Sequence, residues 1–258
     1  MRATALLYHD LVEAGKESAS GFPGAAASMY KMEFDLFRRH IACLHEHHPD
    51  GPRLIGGDGP SEHGFYLTFD DGGASNIQAA EILATYGWKA HFFVTTDMIG
   101  QPAFLDPDSI RELDRMGHVI GSHSCSHPRR MSDLTLDELR AEWSDSKAAL
   151  EEILGHPVNT ASIPGGFYSK SLAMAASNSG VRHLFTSEPV KSTWRIGDCE
   201  LYGRYNLWCD MQPDVALGLA SDQWIHQFRQ FAWWNTKKIA KKVAGPVYAQ
   251  LRHRLANR

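Results

Sequence analysis

The chain has 258 residues, of which 43% are hydrophobic and 22% are charged. This is the composition of a globular protein and excludes a disordered or fibrous chain, and the length suits one α/β barrel or one doubly wound domain. The net charge of −4 divides into +8 after Asp222 and therefore −12 over residues 1–222. An acidic body argues against nucleic acid as a partner.

The sequence also bounds the compartment in which the protein works. Its four cysteines contain no CxxC pair, and for this length they do not indicate a disulfide scaffold. No apolar run approaches the length of a membrane-spanning helix, and the run Ala3–Tyr8 is too short for the core of a signal peptide. We therefore expect a cytoplasmic protein, and the sequence does not indicate an oligomeric state.

Strand-like apolar runs alternate with helical patterns along the chain. The predicted strands are Thr4–Tyr8, Phe65–Phe69, Ala90–Val94, His118–Gly121, Thr160–Ile163, His183–Thr186 and Glu200–Asn206. The predicted helices are Lys31–His47, Ala74–Tyr86, Pro107–Met116, Thr135–Leu154, Ser169–Asn178 and most of the chain from Asp214 onward, with loops over 21–28 and 51–64. The alternation predicts a mainly parallel sheet, whose ligands bind at the carboxyl ends of its strands.

Several of these strands are followed by residues that can bind metal or transfer protons. Asp70 and Asp71 follow one strand, His123 and His127 follow another, and His9 follows the first. Two histidines and one carboxylate form a common set of ligands for a divalent metal, and a histidine at a strand end is a candidate acid or base. Taken alone, the aspartate pair is equally compatible with a helix N-cap.

Two of these segments resemble the motifs of a known family. Thr68–Gly72 (TFDDG) and His123–His127 (HSCSH) are similar to the first two motifs of the polysaccharide deacetylases, the NodB-homology superfamily or carbohydrate esterase family 4. The resemblance implies a distorted (β/α) barrel of mainly parallel strands and metal-dependent removal of acetyl groups from sugars. It implies that Asp70 is the general base. It also implies that Asp71, His123 and His127 hold a divalent cation, Zn²⁺ in the first place, with Co²⁺ and Ni²⁺ as alternatives.

The third family motif is only partly present. It usually reads Arg-x-Pro-aromatic-Gly, whereas here Ser162 replaces the arginine and Gly165 replaces the aromatic residue. The Gly165 amide can still stabilise an oxyanion because that role belongs to the backbone. We hypothesise that Arg204 supplies the missing guanidinium beside Asp70. The residues expected to contact substrate are Pro164, Phe167, Tyr168, Glu188 and Arg204, and Phe104 and Trp208 are further candidates for groove walls.

The final family motif, a Leu-x-His near the C-terminus that supplies the general acid, is absent. The N-terminal segment Leu7–Asp10 (LYHD) instead resembles a permuted subset, the biofilm poly-N-acetylglucosamine deacetylases, in which the acid-bearing strand comes first. By that resemblance His9 is the general acid.

Three functions are compatible with these residues. The favoured one is a metal-dependent hydrolase that removes acetyl groups, N-acetyl foremost, from a polysaccharide or exopolysaccharide precursor. One alternative is a catalytically weak carbohydrate-binding protein on the same fold, since a fold does not determine a function. The other is a metal-dependent amidase or esterase for a small metabolite.

The excess of positive charge lies in the C-terminal region. We predict a deacetylase barrel over residues 1–222 and a basic, amphipathic helical extension over 223–258 that packs on the same domain and is not needed for the chemistry. Its aromatic residues and the lysines that follow them fit two interpretations. The extension is either a packed helix with a solvated lysine face, or a peripheral contact with an anionic membrane at the inner membrane face.

Overall fold

The computed structural model describes residues 3–55 and 64–243, with side chains as far as Thr236. Nine strands form one sheet in the order β11-β1-β4-β5-β6-β7-β8-β10-β9, and β2 and β3 pair separately. The strands are β1 Thr4–Tyr8, β2 Leu11–Val12, β3 Met32–Glu33, β4 Phe65–Phe69, β5 His91–Val94, β6 Val119–Ser122, β7 Thr160–Ser162, β8 His183–Phe185, β9 Trp194–Ile196, β10 Cys199–Tyr202 and β11 Tyr205–Asn206.

Helices connect most of these strands, as the alternating pattern predicts. They are α1 Ala25–Ser28, α2 Phe34–His47, α3 Asn76–Ala84, α4 Pro107–Arg115, α5 Leu136–Leu154, α6 Lys170–Asn178, α7 Pro213–Ala220 and α8 Trp224–Val243. All pairings in the large sheet are parallel except that of β9 with β10. The prediction of a distorted barrel of mainly parallel strands followed by a helical C-terminal region is confirmed.

The structure differs from the sequence prediction in the segment before α2. The predicted loop over 21–28 contains the short helix α1, and the helix predicted from Lys31 begins only at Phe34. It begins late because Met32 and Glu33 pair in parallel with Leu11 and Val12, so that backbone pairing overrides the helical spacing. The strand β9 was not predicted, and most of the loop predicted over 51–64 lies outside the described residues.

The segment Glu200–Asn206, predicted as one strand, is two strands with a break at Gly203 and Arg204. The break carries the chain from β10, near one end of the sheet, to β11 at the other end. The sheet curls into a barrel here, and the backbone passes close to another segment. A Cβ at Gly203 would lie 2.2 Å from the carbonyl oxygen of Val190 and 2.4 Å from that of Glu188, so only glycine fits.

An aromatic layer fills the barrel beneath the carboxyl ends of the strands. Phe93 and Phe185 are fully buried, with ring centroids 5.3 Å apart. The guanidinium carbon of Arg204 lies 5.8 Å from the first ring centroid and 5.9 Å from the second. Arg204 is itself fully buried. The closure of the barrel therefore packs the guanidinium group of Arg204 against the aromatic layer. Within the ranges the structure describes, no helix is long and apolar enough to cross a membrane.

Candidate active site

The carboxyl ends of five parallel strands open into one cavity of about 480 Å³. His9 and Asp10 follow β1, Asp70 and Asp71 follow β4, His123 follows β6, and Gly165 and Ser187 follow β7 and β8. The rim is lined by Pro23, Tyr30, Arg129, Asn206 and Trp234, among others. The parallel topology therefore brings together strand-end residues as far apart in the chain as His9 and Ser187, which is why the strand ends alone point to this site.

Asp71, His123 and His127 form the one group among the described side chains whose donor atoms could hold a metal ion, all within 4.8 Å of one another. The Nε2 atom of His123 lies 3.4 Å from Asp71 Oδ1, and that of His127 lies 3.5 Å from the same oxygen. His123 Nδ1 donates to the carbonyl of Ser162 at 3.1 Å, which directs Nε2 at the cluster and makes it the ring nitrogen that a cation would meet. Nitrogen and carboxylate donors with one ring nitrogen oriented in this way fit a divalent transition metal.

The backbone around this cluster adopts conformations that non-glycine residues rarely adopt. Asp71 has φ 77°, Ser124 has φ 64° and His127 has φ 52°. Such conformations cost free energy and persist where the surroundings determine them, often at functional sites. The loop carrying His127 is held from outside, because Glu142 of α5 accepts hydrogen bonds from the backbone amides of Cys125 and Ser126, each at 2.9 Å.

Asp70, the neighbour of Asp71, does not share its surroundings. Arg204 Nη1 donates to Asp70 Oδ1 at 2.7 Å and Arg204 Nη2 to Asp70 Oδ2 at 2.8 Å. Ser162 connects the two, since its hydroxyl donates to Asp70 Oδ2 at 3.1 Å and accepts from Arg204 Nη2 at 2.6 Å. The Arg204 Nε atom donates to the carbonyl of Thr186 at 2.9 Å. Asp70 is therefore held by a charged, bidentate pair, the strongest kind of side-chain hydrogen bonding.

These contacts set the charge of the carboxylates. Burial by itself raises the pKa of Asp70, but the charges of Arg204 and His123 outweigh it and hold that pKa below the usual value. Burial likewise opposes ionisation of Asp71, and the hydrogen bond and charges of the nearby histidines bring its pKa down. Burial disfavours the charged form of His123, yet the adjacent carboxylates raise its pKa. Two ionised carboxylates that stabilise positive charge between them are suited to a bound cation.

His9 enters the same cavity from β1. Its Nδ1 atom is buried and has no hydrogen-bond partner among the residues that the structure describes, and its ring packs at a tilt on Tyr30, with centroids 4.7 Å apart. Burial lowers the pKa of His9, and the charges of Asp71 and Asp70 oppose that effect. His9 lines the cavity beside the two carboxylates, and an imidazole in that position can exchange a proton with a ligand.

The other residues predicted to contact substrate are only partly brought to this cavity. Gly165 lines it, with φ 63°. Pro164 is buried beneath the turn. Arg130 lies over the ring of Phe167 at 4.8 Å, and Tyr168 packs edge-on against Trp194 at 5.8 Å, so these two aromatic residues do not line the cavity. Glu188 reaches it indirectly, since its carboxylate accepts a hydrogen bond from the indole nitrogen of Trp234 at 3.1 Å.

Residues 57–184 match the family model for polysaccharide deacetylase. This part of the chain is a polysaccharide deacetylase domain. The matched span contains Asp70, Asp71, His123, His127 and Gly165, whereas His9, Arg204 and Trp234 lie outside it. Residues from both sides of the matched span thus surround the candidate site.

Three known proteins illustrate the similarity. The chain is 32% identical over 131 residues to YxkH of Bacillus subtilis, named as a candidate polysaccharide deacetylase, covering 50% of this chain and 47% of that protein. It is 30% identical over 125 residues to a chitooligosaccharide deacetylase of Azorhizobium caulinodans, covering 47% and 57%. The chain thus spans about half the length of these curated relatives. The deacetylase PplD of Streptococcus pyogenes, solved with acetate, shares the fold with a TM-score of 0.66, 20% identity and coverage of 86% and 98%.

Sequence reasoning missed two residues at this candidate site. Neither Trp234 nor Glu142 belongs to a motif; Trp234 lies on α8, outside the matched span, and Glu142 lies on α5, within it. The aromatic content of the C-terminal helix was visible, but nothing in the sequence shows which face of that helix meets the barrel. The C-terminal extension, which we predicted to be unnecessary for the chemistry, contributes Trp234 to the lining of the cavity.

Proposed function

We propose that this protein is a metal-dependent deacetylase that hydrolyses the N-acetyl groups of a polysaccharide or of its precursor. The observation that carries the proposal is the pairing of Asp70 with Arg204 beside the Asp71–His123–His127 cluster, with His9 in the same cavity. A base, a cation site and an acid within one pocket are the groups that amide hydrolysis needs. The names of the curated relatives support a glycan as the substrate.

In this proposal each residue has one role. Asp71, His123 and His127 hold a divalent cation, which would act as a Lewis acid toward the acetyl carbonyl. Asp70 accepts the proton of the attacking water, and Arg204 and Ser162 keep its carboxylate ionised and oriented. The water oxygen bonds to the carbonyl carbon, and the Gly165 amide donates to the developing oxyanion. As the carbon–nitrogen bond breaks, His9 gives a proton to the leaving nitrogen, so that acetate and a free amine are released.

In this proposal Arg204 takes the place of the arginine that is missing from the third family motif. An arginine at position 162 would approach Asp70 from β7, whereas here Ser162 is small and Arg204 approaches from the barrel closure. The charged, hydrogen-bonded state of Asp70 argues against the alternative of a catalytically weak sugar-binding protein. The other alternative, an amidase or esterase for a small metabolite, uses the same chemistry. Only the substrate that is hydrolysed distinguishes it from the deacetylase.

The deciding experiment measures acetate release. Metal-free protein, prepared with a chelator, is loaded separately with Zn²⁺, Co²⁺ or Ni²⁺ and incubated with N-acetylated glycans, O-acetylated glycans and small acetamides. We expect acetate and free amine from N-acetylated glycans, abolished by the chelator and restored by metal. Turnover of small acetamides alone would support the amidase instead, and glycan binding without acetate release from any metal-loaded sample would support the sugar-binding protein.

We also propose that the outer face of α8 attaches the enzyme to an anionic membrane. This outer face comprises Trp224, Ile225, Phe228 and Phe231, whose exposures are 71%, 44%, 57% and 45%. The helix continues through four lysines, at 237, 238, 241 and 242, before it ends at Val243. An aromatic face followed by a cluster of lysines complements an interface that is apolar and negatively charged. A position at the cytoplasmic face of the membrane stays a prediction from the sequence.

Vesicle sedimentation tests this attachment. We expect the protein to bind phosphatidylserine-containing vesicles but not phosphatidylcholine vesicles, with binding that weakens as salt is added. Replacing both Trp224 and Phe228 with serine is expected to abolish it while acetate release from a soluble substrate persists. Equal binding by the variant and the parent protein, or no binding by either, would contradict the proposal.

A further inference from the structure

Helix α8 presents two consecutive tryptophans to two neighbouring cavities. Trp234 lines the catalytic cavity of about 480 Å³, and Trp233 lines a second cavity of about 370 Å³. Adjacent residues of an α-helix point about 100° apart, so two consecutive residues of α8 can line the two cavities. The outer face of the helix, described above, points away from the two cavities.

Trp234 is held against the turn that carries Gly165. Its indole Nε1 donates to Glu188 Oε2 at 3.1 Å, which fixes the plane of the ring. The edge of that ring lies so near Gly166 that a Cβ there would be 2.8 Å from a ring carbon. The aromatic wall and the proposed oxyanion donor are therefore on adjoining parts of the same cavity.

The second cavity lies between α7, α8 and the segment after β11. Trp208 and Trp233 meet edge-on across it, with ring centroids 6.5 Å apart. Charged side chains of both signs complete the lining, with Asp210 and Asp214 on one side and Arg229 on the other. An aromatic pair surrounded by hydrogen-bonding groups is a suitable surface for a sugar ring, which has apolar faces and a polar rim.

The two cavities share a wall. Gln230 lines the second cavity, and its side-chain amide bonds to the backbone of Asn206, accepting from the amide at 3.1 Å and donating to the carbonyl at 2.8 Å. Asn206 in turn lines the catalytic cavity. When one sugar unit of a polymer lies over the catalytic residues, the second cavity is immediately beside that unit.

We infer that α8 is the glycan-binding wall of this enzyme, with two adjacent subsites for amino-sugar units of one polymer chain. Trp234 contacts the sugar whose acetyl group is removed, and Trp233 with Trp208 contacts the next unit along the chain. This inference rests on the proposed deacetylase function and adds to it a preference for a polymer over a single sugar.

The experiment compares N-acetylglucosamine oligomers of one to five units as substrates of the metal-loaded protein. We expect Trp234→Ala to lower kcat/KM by about tenfold or more at every length, mainly through KM, because one aromatic contact is lost. We expect Trp233→Ala to leave the single sugar unaffected and to lower kcat/KM for the longer oligomers, so that the preference for length disappears.

Two further variants separate a sugar contact from a folding effect. Trp234→Phe keeps an aromatic ring and is expected to retain most of the activity, which keeps the test valid if Trp234→Ala does not fold. Asn235→Ala is the matched control, since the side chain of Asn235 donates a hydrogen bond within the helix, to the carbonyl of Phe231. We expect this control to match the parent protein at every length.

The outcomes distinguish the inference from the function on which it rests. If the parent protein releases no acetate at any length, the deacetylase function fails. If the parent protein is active but shows no length preference, or if Trp233→Ala keeps that preference, the two-subsite inference is wrong while the function stands. Equal loss in Trp234→Phe and Trp234→Ala would also overturn the proposed contact with the sugar ring.

Discussion

Arg204 and Asp70, 134 positions apart in the chain, form two parallel hydrogen bonds of 2.7 and 2.8 Å in the interior of the barrel. Both side chains are almost completely buried. Buried charges are costly unless they are paired and their remaining hydrogen bonds are satisfied. Here Ser162, Thr68 and the carbonyl of Thr186 satisfy them. The pair therefore fixes an ionised carboxylate at the mouth of a cation site.

The pH profile is expected to depend on Arg204. Asp70 must be ionised to act as a base, and the charge of Arg204 lowers its pKa. Without that charge the pKa of Asp70 rises, so activity is lost at a higher pH as the solution is acidified. We expect the acidic limb of kcat/KM in Arg204→Ala to move upward by about 1–3 pH units.

Arg204 is fully buried, so Arg204→Ala removes a large side chain from the interior. Arg204→Lys, which keeps a long, charged side chain, is therefore measured in parallel. Lysine keeps the charge but not the planar fork, so its acidic limb is expected to lie between those of the parent and the alanine variant. Arg38→Ala is the control, since Arg38 pairs with Asp35 on the surface of α2. An acidic limb that does not move in either Arg204 variant would contradict the role assigned to this residue.

His9 is expected to act in turnover without holding the cation. It lies in the cavity but outside the group of donor atoms that could bind a metal. We therefore expect His9→Ala to bind metal at the parental stoichiometry, while kcat falls about 10²–10⁴-fold, the range for loss of a general acid. Metal analysis and acetate release on the same sample test this. Loss of the metal along with the activity would assign His9 to the cation site instead.

Glu142 is expected to support metal affinity from a distance. Its carboxylate accepts two backbone hydrogen bonds from the loop that ends at His127. In Glu142→Ala the loop loses these bonds, and we expect affinity for Zn²⁺ to fall about 10–100-fold, the usual effect of outer-shell partners. Competition with a chromogenic chelator measures it. Asp145→Asn, an exposed change on the same helix, serves as the control, and equal affinity in both variants would refute the role.

Gly203 is expected to be required for closure of the barrel. A side chain there would contact the carbonyl oxygens of Val190 and Glu188, neither of which can move without breaking its own segment. We expect Gly203→Ala to lower the free energy of unfolding by about 1–3 kcal/mol, the usual cost of overpacking. Urea denaturation provides the measurement, and an unchanged midpoint with an unchanged slope would show that the backbone relaxes freely.

Much of the catalytic cluster could be predicted from the sequence because it lies at strand ends. Asp70 and His123 directly follow β4 and β6, Asp71 follows Asp70, and the carboxyl ends of parallel strands meet at one edge of a sheet. His9 could be assigned to the same edge by the same argument. The strands themselves are buried runs of five residues or fewer, so their positions follow from local hydrophobicity, whereas their boundaries depend on pairing.

The sequence by itself determined which residue types meet at the carboxyl edge of the sheet, because local patterns specify parallel strands and the residues that end them. Only the tertiary structure decided which distant groups complete the site. Arg204 reaches Asp70 because the barrel closes at Gly203, and Trp234 enters the cavity because α8 packs across the barrel mouth. Such contacts depend on the packing of whole elements, and no local periodicity records how two elements far apart in the chain lie against each other.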